Sequence, residues 1–365
     1  MPAIESREIG IALDMHGCPN RCRHCCLGRA SNKHMTEDDV RWAAAQFRSY
    51  VKPGEGKPFI EKLSVSSWFR EPDYSDDYER LYDLEAELSD GEPARYELLS
   101  IWRLARDPRY AEWAKKVGPD ACQISFFGME ETNDWFYRRK GAFRDYIAAT
   151  ERLLDVGMKP RWQFFLTKKI LPDLPGLMRL MDRMKIRDRV QALGGEFVFF
   201  MHAPGFEGEG RTIRHLAATA DDLSLIPAEI TESTTKHFKN DKTWTTEAEV
   251  IRAIMDGEEK PEPAYGMPKR LYFFIAPNWD VFSGIGTLEA WWKLGNLRTD
   301  TVDVILDNFE NDRPLGYQVN RTVSRRELAE RFGDPDSRAV IGEFDAGWLA
   351  EYCEEVLRST AGCTG

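Results

Sequence analysis

Four of the seven cysteines sit in one short stretch, Gly17-Cys18-Pro19-Asn20-Arg21-Cys22-Arg23-His24-Cys25-Cys26. Thiolates are soft ligands suited to zinc and to iron–sulfur centres. Cys18, Cys22 and Cys25, at gaps of three and then two residues, can wrap three corners of a cubane cluster. A four-iron cluster has four corners, so one iron would stay open to an exogenous ligand. That is an arrangement for activating a cofactor, not for storing an electron. A zinc ribbon needs paired Cys-x2-Cys arms from two places, and Cys353 and Cys363 near the tail supply no second arm. Cys26, adjacent to Cys25, would strain a shared cluster and reads as a bystander.

The loop must be held by regular elements. Ile9 to Asp14 reads as a strand leading into it, and Thr36 as the N-cap of a helix with Val40, Ala43, Ala44 and Phe47 on its apolar face. Further strands are expected at 62–68, 96–101, 122–127, 162–166 and 197–201, and helices at 78–88, 110–117, 143–156 and 174–184. Strand alternates with helix six times in the first two hundred residues. This rhythm predicts an α/β fold, a partial (β/α)6 TIM-like barrel of parallel strands with right-handed crossovers. The expected division is a core over 1–229, a polar, proline-punctuated bridging segment over 230–268, and a smaller C-terminal α+β domain over 269–365. That domain should hold a hairpin around Asn278 and helices at 302–308 and 348–357.

Composition narrows the classes. Of 365 residues, 42% are hydrophobic and 30% charged, which excludes a disordered chain. No run approaches the ~18 apolar residues of a membrane span, and the first nine residues carry no apolar signal region. The net charge of −11 gives no general attraction to nucleic acid or anionic lipid. An odd number of cysteines, clustered rather than spread, predicts a reducing, cytoplasmic compartment and not a disulfide framework.

Cys-x3-Cys-x2-Cys after a first strand, with His24 just before the last cysteine, resembles the radical S-adenosylmethionine superfamily. The string Cys-Pro-Asn-Arg-Cys-Arg-His-Cys is similar to the variant in its SPASM and twitch subgroup. The resemblance covers residues 8–215 and extends more thinly over 271–300. It implies one 4Fe-4S cluster on Cys18, Cys22 and Cys25, with S-adenosyl-L-methionine chelated at the open iron. In Ser66-Ser67-Trp68-Phe69-Arg70-Glu71-Pro72, Glu71 and Pro72 match the family's Gly-Gly-Glu-Pro-like turn while the glycines do not. The resemblance thus implies a contact from Glu71 to the cofactor's amino group. It also implies cofactor-facing positions at His24, at Ser125 in Gln123-Ile124-Ser125-Phe126-Phe127-Gly128, and at Arg138 or Arg139 ahead of Gly141-Ala142-Phe143, a choice the sequence leaves open. Gln163, Thr167 and His202 fall at C-terminal strand ends, where ligands collect in α/β folds.

The activity so implied is reductive cleavage of S-adenosylmethionine to a 5′-deoxyadenosyl radical that abstracts hydrogen from a peptide or a small natural-product-like substrate. The electron would come from a flavodoxin- or ferredoxin-type donor. Auxiliary clusters of the subgroup need several cysteines; the stretch 271–300 has none, and Ser283 stands where a ligand cysteine is expected. The extension thus keeps a SPASM/twitch-like scaffold without its metal, which gives weight to epimerisation or rearrangement and to oxidation coupled back to the single cluster; the sequence leaves the choice among them open. Catalytic candidates for such an outcome are Cys122, Cys353 and His202, with Cys363 as a further thiol. The competing readings are an iron–sulfur electron-transfer or sensing protein without cofactor cleavage, and a zinc-structured binding module.

Overall fold

The computed structural model describes residues 7–28, 32–67, 71–91, 98–118, 120–240, 243–257, 271–283, 288–341 and 345–360, of which 345–350 are described as backbone only. The strands are β1 (Glu8–Leu13), β2 (Lys62–Ser67), β3 (Ala121–Phe126), β4 (Lys159–Phe165), β5 (Phe199–His202), β6 (Thr245–Thr246), β7 (Leu271–Ile275), β8 (Asp280–Ser283), β9 (Lys293–Asn296) and β10 (Val340–Ile341). The first nine helices are α1 (Glu37–Arg48), α2 (Tyr78–Leu88), α3 (Ile101–Arg106), α4 (Pro108–Val117), α5 (Glu130–Tyr137), α6 (Ala142–Asp155), α7 (Leu174–Arg183), α8 (Ile186–Ala192) and α9 (Ala228–Phe238). The others are α10 (Glu247–Asp256), α11 (Val302–Glu310), α12 (Leu315–Thr322), α13 (Arg325–Phe332) and α14 (Asp345–Thr360). Among the described residues no helix is long and apolar enough to cross a membrane.

The parallel strands lie in two sheets. One has the order β2-β1-β7-β8-β9, the other β3-β4-β5. β1 runs parallel to β2 (Ile9 opposite Leu63) and, on its other edge, to β7 (Ile11 opposite Phe273). Ile9, Ile11, Ala12 and Leu13 are all buried, as expected of a central strand covered on both faces. Gly10 is required there, because a Cβ would lie 2.3 Å from the Tyr272 ring on the neighbouring strand. In the second sheet β3 and β5 both run parallel to β4.

Two apolar cores follow. The first joins Ile11, Leu13, Phe47, Val65, Phe273 and Phe309; the second joins Ile124, Phe126, Phe136, Trp162, Phe164 and Met201. Helix α1 seats its Val40–Phe47 stripe on the first core, and Thr36 and Asp39 form a reciprocal capping box at its start. The expected partial barrel of parallel strands is therefore present, and it is open.

The details depart from the sequence in instructive ways. The strand expected at 96–101 is absent over its described part: 98–100 is irregular and Ile101 opens α3. Ser100 decides this, because its hydroxyl accepts from Arg103 N–H at 3.1 Å and caps the helix. Tyr96 lies outside the described residues, as do Trp68, Arg70 and Cys363. Among the described residues the third strand of the sequence reading is thus not formed, and the strands bearing Gln163 and His202 are β4 and β5. A sixth parallel strand comes instead from β7, which forms the expected antiparallel hairpin with β8 while pairing with β1 on its far edge. Helix α9 runs across the expected boundary at 229/230 and α10 lies within the bridging segment, of which 241–242 and 258–268 lie outside the described residues.

Candidate functional site

The cysteine loop leaves the C-terminal end of β1 and is pinned from three sides. Arg23 N–H donates to Phe136 O at 2.8 Å, Glu209 N–H donates to Cys25 O at 3.1 Å, and Cys18 N–H donates to Asn32 Oδ1 at 2.8 Å. Arg23 also lies over the Trp135 ring, 4.1 Å from its centroid. Gly208 backs the loop in the left-handed region (φ +59°); a Cβ there would lie 2.6 Å from Cys26 O and 2.9 Å from Cys25 O.

Cys18, Cys22 and Cys25 are half-buried and outside any disulfide, while Cys26 is exposed. Burial pushes the Cys22 thiol well above its usual range, and the neighbouring charges of Cys25 and Cys18 push it further. A thiolate at Cys22 therefore needs a cationic centre beside it, and Cys18, Cys22 and Cys25 turn three soft sulfur donors toward one cavity. The donor set therefore fits an iron–sulfur cluster. Among the described residues, no group of three His, Cys, Asp or Glu side chains is arranged to hold a single metal ion.

These thiols line a cavity of about 580 Å³, a size that accommodates a nucleotide-like ligand. His24, Glu71, Ser125 and Arg138 share its wall, together with Asn20, Gln123, Tyr137, Tyr146, Phe165, Glu209 and an aliphatic side of Leu98, Leu99 and Ile101. Glu71 is buried; its Oε1 accepts from Ser100 Oγ at 2.8 Å and from Trp102 N–H at 3.0 Å. Burial raises its pKa; these two hydrogen bonds and the charge of nearby Arg139 partly offset the rise, and the charge of Asp145 adds to it. His24 packs against Phe127 (4.2 Å between centroids), Phe165 and Tyr137. Burial, with His202 nearby, lowers its pKa to about 3, so it is a neutral ring.

The two arginines separate. Arg138 caps α5 in the left-handed conformation (φ +48°), reaches the cavity and pairs with Glu209 at 2.9 Å. Arg139 turns away, donating from Nε to Asn20 Oδ1 at 2.7 Å and pairing with Asp145. Asp134 sets this turn, accepting from Gly141 N–H at 2.5 Å and Phe143 N–H at 2.8 Å at the start of α6.

Gln163 and His202 lie behind the cavity wall. Gln163 Oε1 accepts from Gln123 Nε2 at 2.6 Å and Ser125 Oγ at 2.9 Å, and its amide meets His202 Nε2. His202 Nδ1 faces Ala203 O at 2.8 Å, so Nδ1 carries the proton and Nε2 accepts. Burial lowers the His202 pKa to about 4, keeping it neutral. Thr167 is buried at a bridge to Ala217. Cys122 is buried on β3 and Cys353 on α14 beside Asn320 (3.6 Å); neither lines the cavity. Ser283 is buried against the Tyr317 hydroxyl, so an ordinary polar pair fills that position.

The structure adds Asn20, Ser100, Tyr137, Tyr146 and Glu209 to the site. Asn20 lay inside the recognised string. Ser100 carried only a generic capping signal, and the others carried none.

No family model matches the chain. Among curated proteins it is 25% identical over 243 residues to the Fe-coproporphyrin III synthase of Methanosarcina barkeri (strain Fusaro / DSM 804). The match spans 57% of this chain and 56% of that protein, so the chain spans about half the length of the relative. Among solved structures it is similar to anSMEcpe with bound AdoMet (TM-score 0.50, 13% identity, covering 97% of this chain and 99% of that one). It is also similar to anSMEcpe with bound AdoMet and the Kp18Cys peptide (TM-score 0.52, 13% identity, 97% and 98%). At these identities the likeness is one of fold. The chain resembles the radical S-adenosylmethionine superfamily in cysteine motif and in fold alike.

Proposed function

We propose that this chain, with its radical S-adenosylmethionine fold, is a radical enzyme that binds one 4Fe-4S cluster and S-adenosylmethionine. The observation carrying this reading is that Cys18, Cys22, Cys25 and the buried carboxylate of Glu71 face one cavity. Cys18, Cys22 and Cys25 would hold the cluster, and the open iron would receive the cofactor. When bound and reduced, the pair would supply one electron to cleave the sulfonium carbon–sulfur bond, with methionine leaving, and so a carbon radical able to remove hydrogen from an unactivated position.

The chain's own residues bind, orient and exclude water. Glu71, locked by Ser100 and Trp102, presents its carboxylate to an ammonium. Arg138 offers a guanidinium to a carboxylate or ribose in place of Glu209, and Ser125 offers a hydroxyl from β3. Gln163 orients Ser125 from behind, and His202 fixes the Gln163 amide. Leu98, Leu99, Ile101 and Phe165 form an apolar wall that keeps water from the reacting carbon.

Such a wall suits a substrate with aliphatic or aromatic surface. The substrate class we favour is a peptide or a small natural-product-like molecule, with a flavodoxin- or ferredoxin-type protein as electron source in a reducing, cytoplasmic compartment. The peptide in one similar anSMEcpe structure and the porphyrin product in the name of the curated relative span this range.

Anaerobic reconstitution tests the reading. The protein should hold about four irons per chain, absorb visible light and release 5′-deoxyadenosine from S-adenosylmethionine after reduction. Replacing Cys18, Cys22 and Cys25 together by alanine should abolish iron, colour and product. Zinc in place of iron, or a coloured protein that leaves the nucleotide intact, would refute the proposal.

A further inference from the structure

Glu71 is buried, yet the donors around it are neutral. Ser100 Oγ and Trp102 N–H serve Oε1, and Asn20 Nδ2 serves Oε2 at 3.4 Å. Among the described residues, no lysine or arginine forms an ion pair with it. A guanidinium stands one amide away. Arg139 Nε donates to the oxygen of Asn20 at 2.7 Å, while the nitrogen of that same amide faces Glu71. An arginine only donates and an ionised carboxylate only accepts, so these neighbours fix which edge of Asn20 faces each.

Arg139 is restrained on its other side. Its Nη1 pairs with Asp145 of α6, which also accepts from Arg106 at 2.9 Å. Its Nη2 is buried and has no partner, so an acceptor within reach would capture it. The ordinary outcome for a buried carboxylate beside a guanidinium is a bidentate pair, and here that pair is not made.

We propose that Asp145, acting with Asn20, holds Arg139 off Glu71 and so reserves that carboxylate for the primary ammonium of the incoming nucleotide. This rests on the function proposed above. Asp145 does not line the cavity, so it is a positioning residue: it sets ligand preference by occupying the competing cation. The consequence is selectivity for sulfonium nucleotides that carry an amine over those that lack it.

The test is equilibrium dialysis of S-adenosylmethionine and of its desamino analogue against anaerobically reconstituted protein. The wild type should favour the amine-bearing ligand by at least about tenfold, the scale of one charge-assisted hydrogen bond. Asp145→Asn keeps the side-chain shape but releases Arg139, and most of that preference should vanish. Adding Arg139→Gln to Asp145→Asn should restore binding to within about threefold of wild type, a rescue that a merely structural role for Asp145 would not give. An Asp145→Asn protein that keeps the preference, or a double variant as weak as the single one, overturns the proposal. Should Asp145→Asn not fold, Arg139→Gln alone decides: it should retain the preference, and losing it would show that Arg139 assists binding. A wild type that binds neither ligand refutes the proposed function itself, and this inference with it.

Discussion

Replacing Glu351 by glutamine should stabilise the protein above neutral pH and leave it nearly unchanged in mild acid. Glu351 is buried on α14 against the Arg214 guanidinium, with Glu247 and Glu207 close by. Burial drives its pKa up to about 7; Glu247 and Glu207 add to the rise, and Arg214 opposes it. The folded pKa lies above the ordinary glutamate value of 4.5, so the native state binds this proton more tightly than the unfolded chain. Its contribution to stability is therefore complete below about pH 4.5 and is lost as pH rises through about 7. A gap of about 2.5 units at 1.36 kcal/mol each gives roughly 3 kcal/mol. Glutamine retains an oxygen for Arg214 and cannot ionise, so it escapes the penalty. Thermal unfolding of both proteins under anaerobic conditions, from about pH 5 to about pH 8, reads the difference. At about 2 °C per kcal/mol for a chain of this length, the variant should gain about 6 °C at the alkaline end. Differencing the two proteins removes every other titrating group. A gap independent of pH, or a variant less stable at about pH 8, would refute the reasoning. The outcome bears on the site because Glu354, one turn along α14, accepts from Gly208 N–H at 3.2 Å, and the next residue's N–H holds Cys25.

Two further perturbations probe the site's scaffold. Ser100→Ala removes both the hydroxyl that Glu71 accepts and the cap of α3, so it should cost about 2–4 kcal/mol in chemical denaturation and weaken S-adenosylmethionine binding in the same protein. Gly208→Ala places a Cβ against the carbonyls of Cys25 and Cys26 from a left-handed backbone. It should destabilise by at least about 1–2 kcal/mol and lower iron content per chain after reconstitution, measured by a colorimetric iron assay. Full iron loading in that variant would show that the cysteine loop does not depend on its backing.

Much of the site was legible because its chemistry is local in sequence. The spacing of Cys18, Cys22 and Cys25 is a property of one loop, and Thr36 with Asp39 is a property of one helix turn. Glu71, short of the expected glycines, stood out in the sequence by its proline neighbour, and the fold brings it to the cavity that the cysteines line. The expected strand at 96–101 failed for the converse reason: an apolar run reads alike as strand or helix, and a single hydroxyl at Ser100 settled it as a helix start. Cys122, Cys353 and His202 have reactive side chains, but their sequence neighbours say nothing of which way they face.

The cysteine loop and the α/β rhythm were readable from the types and intervals of residues close along the chain, and the net negative charge from composition alone. Tertiary structure decided that β7 pairs with β1, that Arg138 and not Arg139 reaches the cavity, and that Ser100 anchors Glu71. Each of these depends on chain segments brought together by burial of the two cores. Arg138 reaches inward because a left-handed turn, fixed by Asp134, points consecutive side chains in different directions. That choice is made by backbone torsion and packing, and neither is written in the identity of two adjacent arginines.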